Sequence, residues 1–244
     1  RLSGSSQSPR PLWTLPTGGP TPGGVFRDPA IAAGEDEVLK ELMKWAATVV
    51  HVPLKFGKLK GLSANLAEFP AEFCLFSSHV SSLVLEDRAN DSKREISIAV
   101  DNKVIELTDQ GETKAWRLFK TMYAPSRKAK TDAGELTDRD EVPLVWAVPI
   151  DHRYSGKFWA FFPTEYETTL SGILNAPWKT NEDRQNLLKG RFNEELLNAC
   201  AELVIDQLPE LVDHEDPGKF LELLPGRGRE NRNWADGIIT EQIY

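Results

Sequence analysis

Two runs of this chain, residues 144–150 (LVWAVPI) and 158–162 (FWAFF), are apolar almost without interruption. A strand with one wet face alternates apolar and polar side chains, so runs like these require cover on both faces. A sheet holding them needs helices packed on it. Elsewhere the period is two: Ile96, Ile98 and Val100 alternate with polar residues, as in a half-buried strand. A turn is expected at Asp101-Asn102, with the chain returning over 104–107. Short strands are also expected at 73–76 and 83–85, and a hairpin joining 144–150 to 158–162 around 151–156.

Helical spacing supplies the covering elements. Over 35–50, Val38, Leu39, Leu42, Met43, Ala46, Val49 and Val50 make one apolar face, with Glu35, Asp36 and Glu37 in the first turn. A second helix is expected from Ala115, Trp116, Leu118, Phe119, Met122 and Tyr123, ended by Pro125. A third is expected to be capped by Asn193, with Leu196, Cys200, Leu203 and Val204 on one face. A short helix follows at 218–224. Residues 126–141 read as an exposed charged loop, and the stretch after Pro225 as a polar tail. The fold class is therefore α+β, a mostly antiparallel or mixed sheet with helices packed on it.

Organisation follows composition. Residues 1–30 are a Gly/Pro/Ser-rich linker or tail, 31–212 the α/β domain, and 213–244 a C-terminal helix with a polar tail. The chain of 244 residues is 40% hydrophobic, enough to bury a core, and no run of about 18 apolar residues could span a membrane. With net charge −8 it is a poor default binder of nucleic acid. Cys74 and Cys200 lie far apart, which points to a reducing, cytoplasmic location rather than a disulfide scaffold. The sequence begins at Arg1 without a leader pattern, as expected of a segment of a longer protein or a processed product.

Most catalytic signatures are missing. His51, His79, His152 and His214 are scattered and the cysteines form no C-x-x-C, so no metal site is expected. There is no G-x-x-x-x-G-K-[ST], G-x-G-x-x-G or G-x-S-x-G. The serines around His79 read as a polar turn. Glu165 and Glu167 read as first-turn acids of a helix beginning at Thr164.

The informative stretch is 157–188, KFWAFFPTEYETTLSGILNAPWKTNEDRQNLL. It places a polar loop, Lys179-Thr180-Asn181-Glu182-Asp183-Arg184, after a packed segment. Arg184 offers a planar fork of donors suited to a terminal phosphate, and Lys179 a mobile point charge. The bland alternative is a solvated loop in which Arg184 pairs with Asp183 or Glu182. The stretch resembles the segment following the nucleotide domain in GHKL-type ATPases of the sacsin and heat-shock-chaperone kind. The matching residues are Phe162-Pro163-Thr164-Glu165, Thr169-Leu170, Leu174-Asn175-Ala176-Pro177-Trp178 and Asn181-Glu182-Asp183-Arg184-Gln185-Asn186-Leu187. The resemblance extends over about residues 70–212.

That resemblance implies a transducer-like two-layer sandwich that docks on a separate N-terminal nucleotide-binding domain. It assigns Arg184 to the terminal phosphate of ATP bound with Mg, with Lys179 and Asn181 as further phosphate contacts, and it allows a homodimer. The family's ATP-binding helix and D-x-G-x-G turn are not recognisable here; Asp109-Gln110-Gly111-Glu112 lacks the second glycine. The chain alone is therefore expected not to bind ATP tightly. The alternative is a stand-alone interaction module using exposed tryptophans, with Trp13 and Trp234 as the anchors to suspect.

Overall fold

The computed structural model describes residues 37–50, 52, 54–77, 79–134, 139–226, 228 and 230–244. The segment 1–30 with Trp13, the acids Glu35 and Asp36, and Arg227 and Arg229 lie outside the described residues. Two units are distinguished, Arg1–Lys55 and Phe56–Tyr244. In the smaller unit, α1 spans only Glu37–Leu42 and buries no residue, in place of the helix expected over 35–50. A lone short helix needs tertiary burial to persist, and Met43 and Trp45 beyond it stand exposed.

The larger unit is α+β. Its sheet comprises β1 (Ser82–Asp87), β2 (Ser92–Asp101), β3 (Val104–Asp109), β4 (Glu112–Tyr123), β5 (Val142–Pro149), β6 (Gly156–Ala160), β7 (Phe162–Thr168) and β8 (Ile173–Asn175). The order is β1-β2-β3-β4-β5-β8-β6-β7, antiparallel except for the parallel pair β6–β8. Tight turns at Asn102-Lys103 and Gln110-Gly111, all with positive φ, match the right-handed strand twist.

Helices cover both faces. They are α2 (Leu59–Ala67), α3 (Phe73–Phe76), α4 (Arg127–Ala133), α5 (Arg191–Gln207) and α6 (Trp234–Ile243), with 3-10 turns at Leu208–Leu211 and Lys219–Leu223. One core packs Trp146, Phe158 and Leu174 against Leu196, Cys200 and Val204 of α5. The other packs Cys74 and Leu75 of α3 against Ile96, Leu107, Trp116 and Trp159. Double cover explains why 144–150 lacks alternation.

Several expectations are corrected. The segment 115–123 is strand β4, not a helix. Trp116 and Phe119 are three residues apart, so a strand sends them to opposite faces, and each enters a different core. Doubly covered strands bury residues at helical spacing. Residues 164–167 likewise lie in β7, and 73–76 form a helical turn rather than a strand. The runs 144–150 and 158–162 do not form a hairpin, because β8 pairs with both β5 and β6 and separates them. Gly172 admits β8: its φ is +96°, and a Cβ there would sit 2.2 Å from the Ala147 carbonyl oxygen.

Within 126–141, α4 replaces the expected loop. Ser126 Oγ accepts from the Ala129 amide, and the buried residues are only Ala129 and Ala133, too small to mark a periodic face. The stretch after Pro225 is not all polar tail, since it contains α6, capped by Asn233 through the amides of Ala235 and Asp236. Asn193 is inside α5 rather than its cap; the flanking residue is Gly190.

Candidate functional site

The loop 179–188 leaves β8 through Ala176 and Trp178, both buried, and leads into α5. Its two stems pair: Thr180 bridges Leu187, and the Leu188 amide donates to the Lys179 carbonyl over 2.9 Å. Inside, the Asn181 amide donates to the Asn186 carbonyl (3.0 Å) and the Arg184 amide to the Asn181 carbonyl (3.0 Å). Asn181 Oδ1 accepts from the Asn186 amide at 2.9 Å. Asp183 Oδ1 accepts from the Gln185 amide at 2.9 Å. At the apex, the Glu165 amide of β7 donates to the Gln185 carbonyl over 2.8 Å. The apex thus leans on the sheet edge while the stems close on themselves.

Arg184 sits at this apex with φ +61° and is exposed. For an L residue other than glycine the left-handed region costs about 1–2 kcal/mol. Its guanidinium makes no ion pair or hydrogen bond among the described residues. The pairing with Asp183 or Glu182 weighed from the sequence does not form. The local chain therefore aims an unspent, permanently charged fork outward.

The other two sequence-selected residues are occupied. Lys179 Nζ bonds the Asp132 carbonyl and lies 3.2 Å from Asp132 Oδ1, tying the loop to the end of α4. Asp132 Oδ2 also accepts from the Phe192 amide at 3.0 Å. That amide first, and the Lys179 ammonium second, hold the Asp132 carboxyl below the usual carboxylate range. Asn181 is a turn-forming residue whose Oδ1 is committed within the loop.

The strand motif preceding the loop is scaffolding. Thr164 Oγ1 donates to the Phe158 carbonyl at 2.7 Å and accepts from the Tyr166 amide at 3.2 Å. Asn175 Oδ1 accepts from the Phe161 amide at 2.9 Å, pinning a turn in which Phe161 has φ +65°. Thr168 and Thr169 donate to the buried Asp236 of α6. Asp132 and Asp236 were not singled out from sequence; only the Asn233-x-x-Asp236 spacing, a helix-start pattern, could have flagged the second.

The remaining candidates do not converge. His79 is exposed in the connection between α3 and β1, Ser78 lies outside the described residues, and Glu165 and Glu167 stand at alternate positions of β7. Trp234 packs back, its Nε1 donating to the Tyr166 hydroxyl at 3.1 Å. No group of three or more potential metal ligands occurs among the described residues. No helix among them is long and apolar enough to cross a membrane. Comparison with protein-family models, curated proteins and solved structures finds no match for this chain.

Proposed function

We propose that this chain is the transducer segment of a larger GHKL-type ATP-binding protein of the sacsin and heat-shock-chaperone kind. In this reading Arg184 reaches the terminal phosphate of ATP held, with Mg, by a separate N-terminal nucleotide-binding domain. The observation that carries it is the exposed, unpaired Arg184 fixed at the apex of a braced loop. A planar guanidinium fits phosphate oxygens by paired hydrogen bonds, and its fixed charge favours the charge that develops on them during transfer. Lys179 is engaged with Asp132, and Asn181 shapes the loop through its Oδ1. Because Arg184 engages only when the two domains close, its contact reports nucleotide state to the rest of the protein. The free, buried Cys74 and Cys200 support a cytoplasmic location.

The test is ATP turnover by the full-length protein. Arg184→Ala is expected to lower kcat about 100-fold or more while the affinity for ATP stays within about threefold. Arg184→Lys keeps the charge but loses the fork and should recover only part of the rate. Unchanged turnover in Arg184→Ala would remove the assignment. It would favour the second reading, an interaction module, for which Trp45, 77% exposed, is the better anchor because Trp234 is packed.

A further inference from the structure

The Arg184 loop is held from below by one side chain. Asn193, in the first turn of α5, is 1% exposed. Its Oδ1 accepts from the Lys179 amide at 2.9 Å. Its Nδ2 donates one proton to the Lys179 carbonyl at 2.7 Å and the other to the Leu188 carbonyl at 2.8 Å. One carboxamide therefore bonds both ends of the loop and spends both of its protons doing so. An asparagine at the cap position turns its side chain to the helix's own backbone amides, but Asn193 lies three residues beyond the cap, Gly190. Its side chain is turned across to the loop.

We propose that Asn193 is the positioning residue of the Arg184 loop: it clasps the two stems to α5 and so fixes the height and direction of the guanidinium. This rests on the phosphate reading of Arg184. A carboxamide is the group the site requires, because the stems present one donor and two acceptors. An aspartate at 193 would set a carboxylate oxygen against two carbonyl oxygens. A serine could satisfy at most part of the set. Lys179 and Asp132 add a second tie at one stem only, so they cannot replace the clasp.

The experiment compares Asn193→Asp, Asn193→Ser, Arg184→Ala and the Arg184→Ala/Asn193→Asp pair in the full-length protein. Amide hydrogen exchange is read at Lys179, Asn186 and Leu188, and at Leu197 and Ala201 of α5 as a folding control. The loop amides should exchange at least about tenfold faster in both Asn193 variants while the control amides hold. kcat should fall about tenfold with KM for ATP within about twofold, since misplacing a catalytic group by an ångström costs that much or more. The paired variant should be no slower than Arg184→Ala alone, because the clasp acts only through Arg184. Unchanged loop exchange in a folded Asn193 variant, or rate losses that multiply in the pair, would overturn the proposal. Full activity in Arg184→Ala would instead overturn the phosphate reading, and the exchange data would still decide whether Asn193 holds the loop. If Asn193→Asp unfolds α5, Asn193→Ser, which adds no charge, carries the test.

Discussion

Asp236→Asn is the perturbation whose cost follows most directly from the geometry. Asp236 is fully buried in the first turn of α6. One carboxylate oxygen accepts from Thr168 Oγ1 (2.8 Å), the Thr169 amide (2.7 Å) and Thr169 Oγ1 (3.0 Å). The other accepts from the Arg232 amide at 2.8 Å. All four partners are donors. An asparagine must aim its NH2 at one side or the other. Aimed at Arg232, it strands one backbone N–H and weakens the three remaining bonds by removing the charge; aimed at the threonines, it strands more. A stranded buried amide costs about 1–3 kcal/mol, and hydrogen bonds to a charged acceptor are worth about 1.5–3 kcal/mol each against about 1 for neutral ones. Taken at their lower ends, one stranded amide and three weakened bonds give a loss of about 2.5 kcal/mol, or about 5–10 °C in Tm for a unit of this size. Thermal and urea unfolding of the purified protein, with an unchanged m-value, would measure it. A loss below about 1 kcal/mol would refute the reasoning, because it would mean the four donors find acceptors elsewhere.

Other outcomes follow from the same structure. Gly172→Ala should cost about 3 kcal/mol or more, the sum of left-handed strain and a clash with the Ala147 carbonyl, measured by urea unfolding. Phe161→Gly should be neutral or stabilising by about 1 kcal/mol, since the half-exposed ring occupies a left-handed turn; a clear loss in thermal unfolding would show that its packing outweighs the strain. The Arg94 guanidinium beside Asp109, and the Phe192 amide with Lys179 at Asp132, hold both carboxyls below their usual range. Their stabilisation is therefore complete above about pH 4 and is lost as pH falls through the lowered folded-state values, so Asp109→Asn should flatten the acid limb of a stability–pH curve. Burial pushes both the Cys74 and Cys200 thiols up, so neither should react with iodoacetamide at about pH 8 until the protein unfolds, as read by mass spectrometry.

The legible parts of the sequence were those in which one face decides the pattern. Ile96, Ile98 and Val100 identify β2 by alternation, and Leu196, Cys200, Leu203 and Val204 identify α5 by a single buried stripe. The covering of both sheet faces defeated the same logic in β4, where Trp116 and Phe119 serve two cores. Small residues hid α4, whose buried face is two alanines. Non-local pairing hid β8, because nothing near Ile173 announces that it enters between β5 and β6. At the site, Arg184 was legible as an exposed cation after a packed segment. The occupancy of Lys179 was not, since its partner Asp132 is 47 residues away.

The proposed function gives the state of Arg184 a physical reason. Solvated loop cations commonly lie beside acids, and Glu182 and Asp183 are next to it in sequence. Yet Asp183 turns to the Gln185 amide, and the guanidinium is left alone. Holding an arginine at φ +61° costs about 1–2 kcal/mol that no contact of its own side chain returns. The bracing also comes from distant elements: Glu165 of β7 at the apex and Asn193 of α5 at the stems. An unpaired charge on a mobile loop would need no such support. A charge that must arrive at a fixed place, on an anion brought by another domain, requires the backbone to be set before the anion is met, because ordering the loop on contact would subtract from binding. The strain, the missing internal partner and the two-sided bracing are three separate observations, and the proposed contact with an external phosphate would account for all of them.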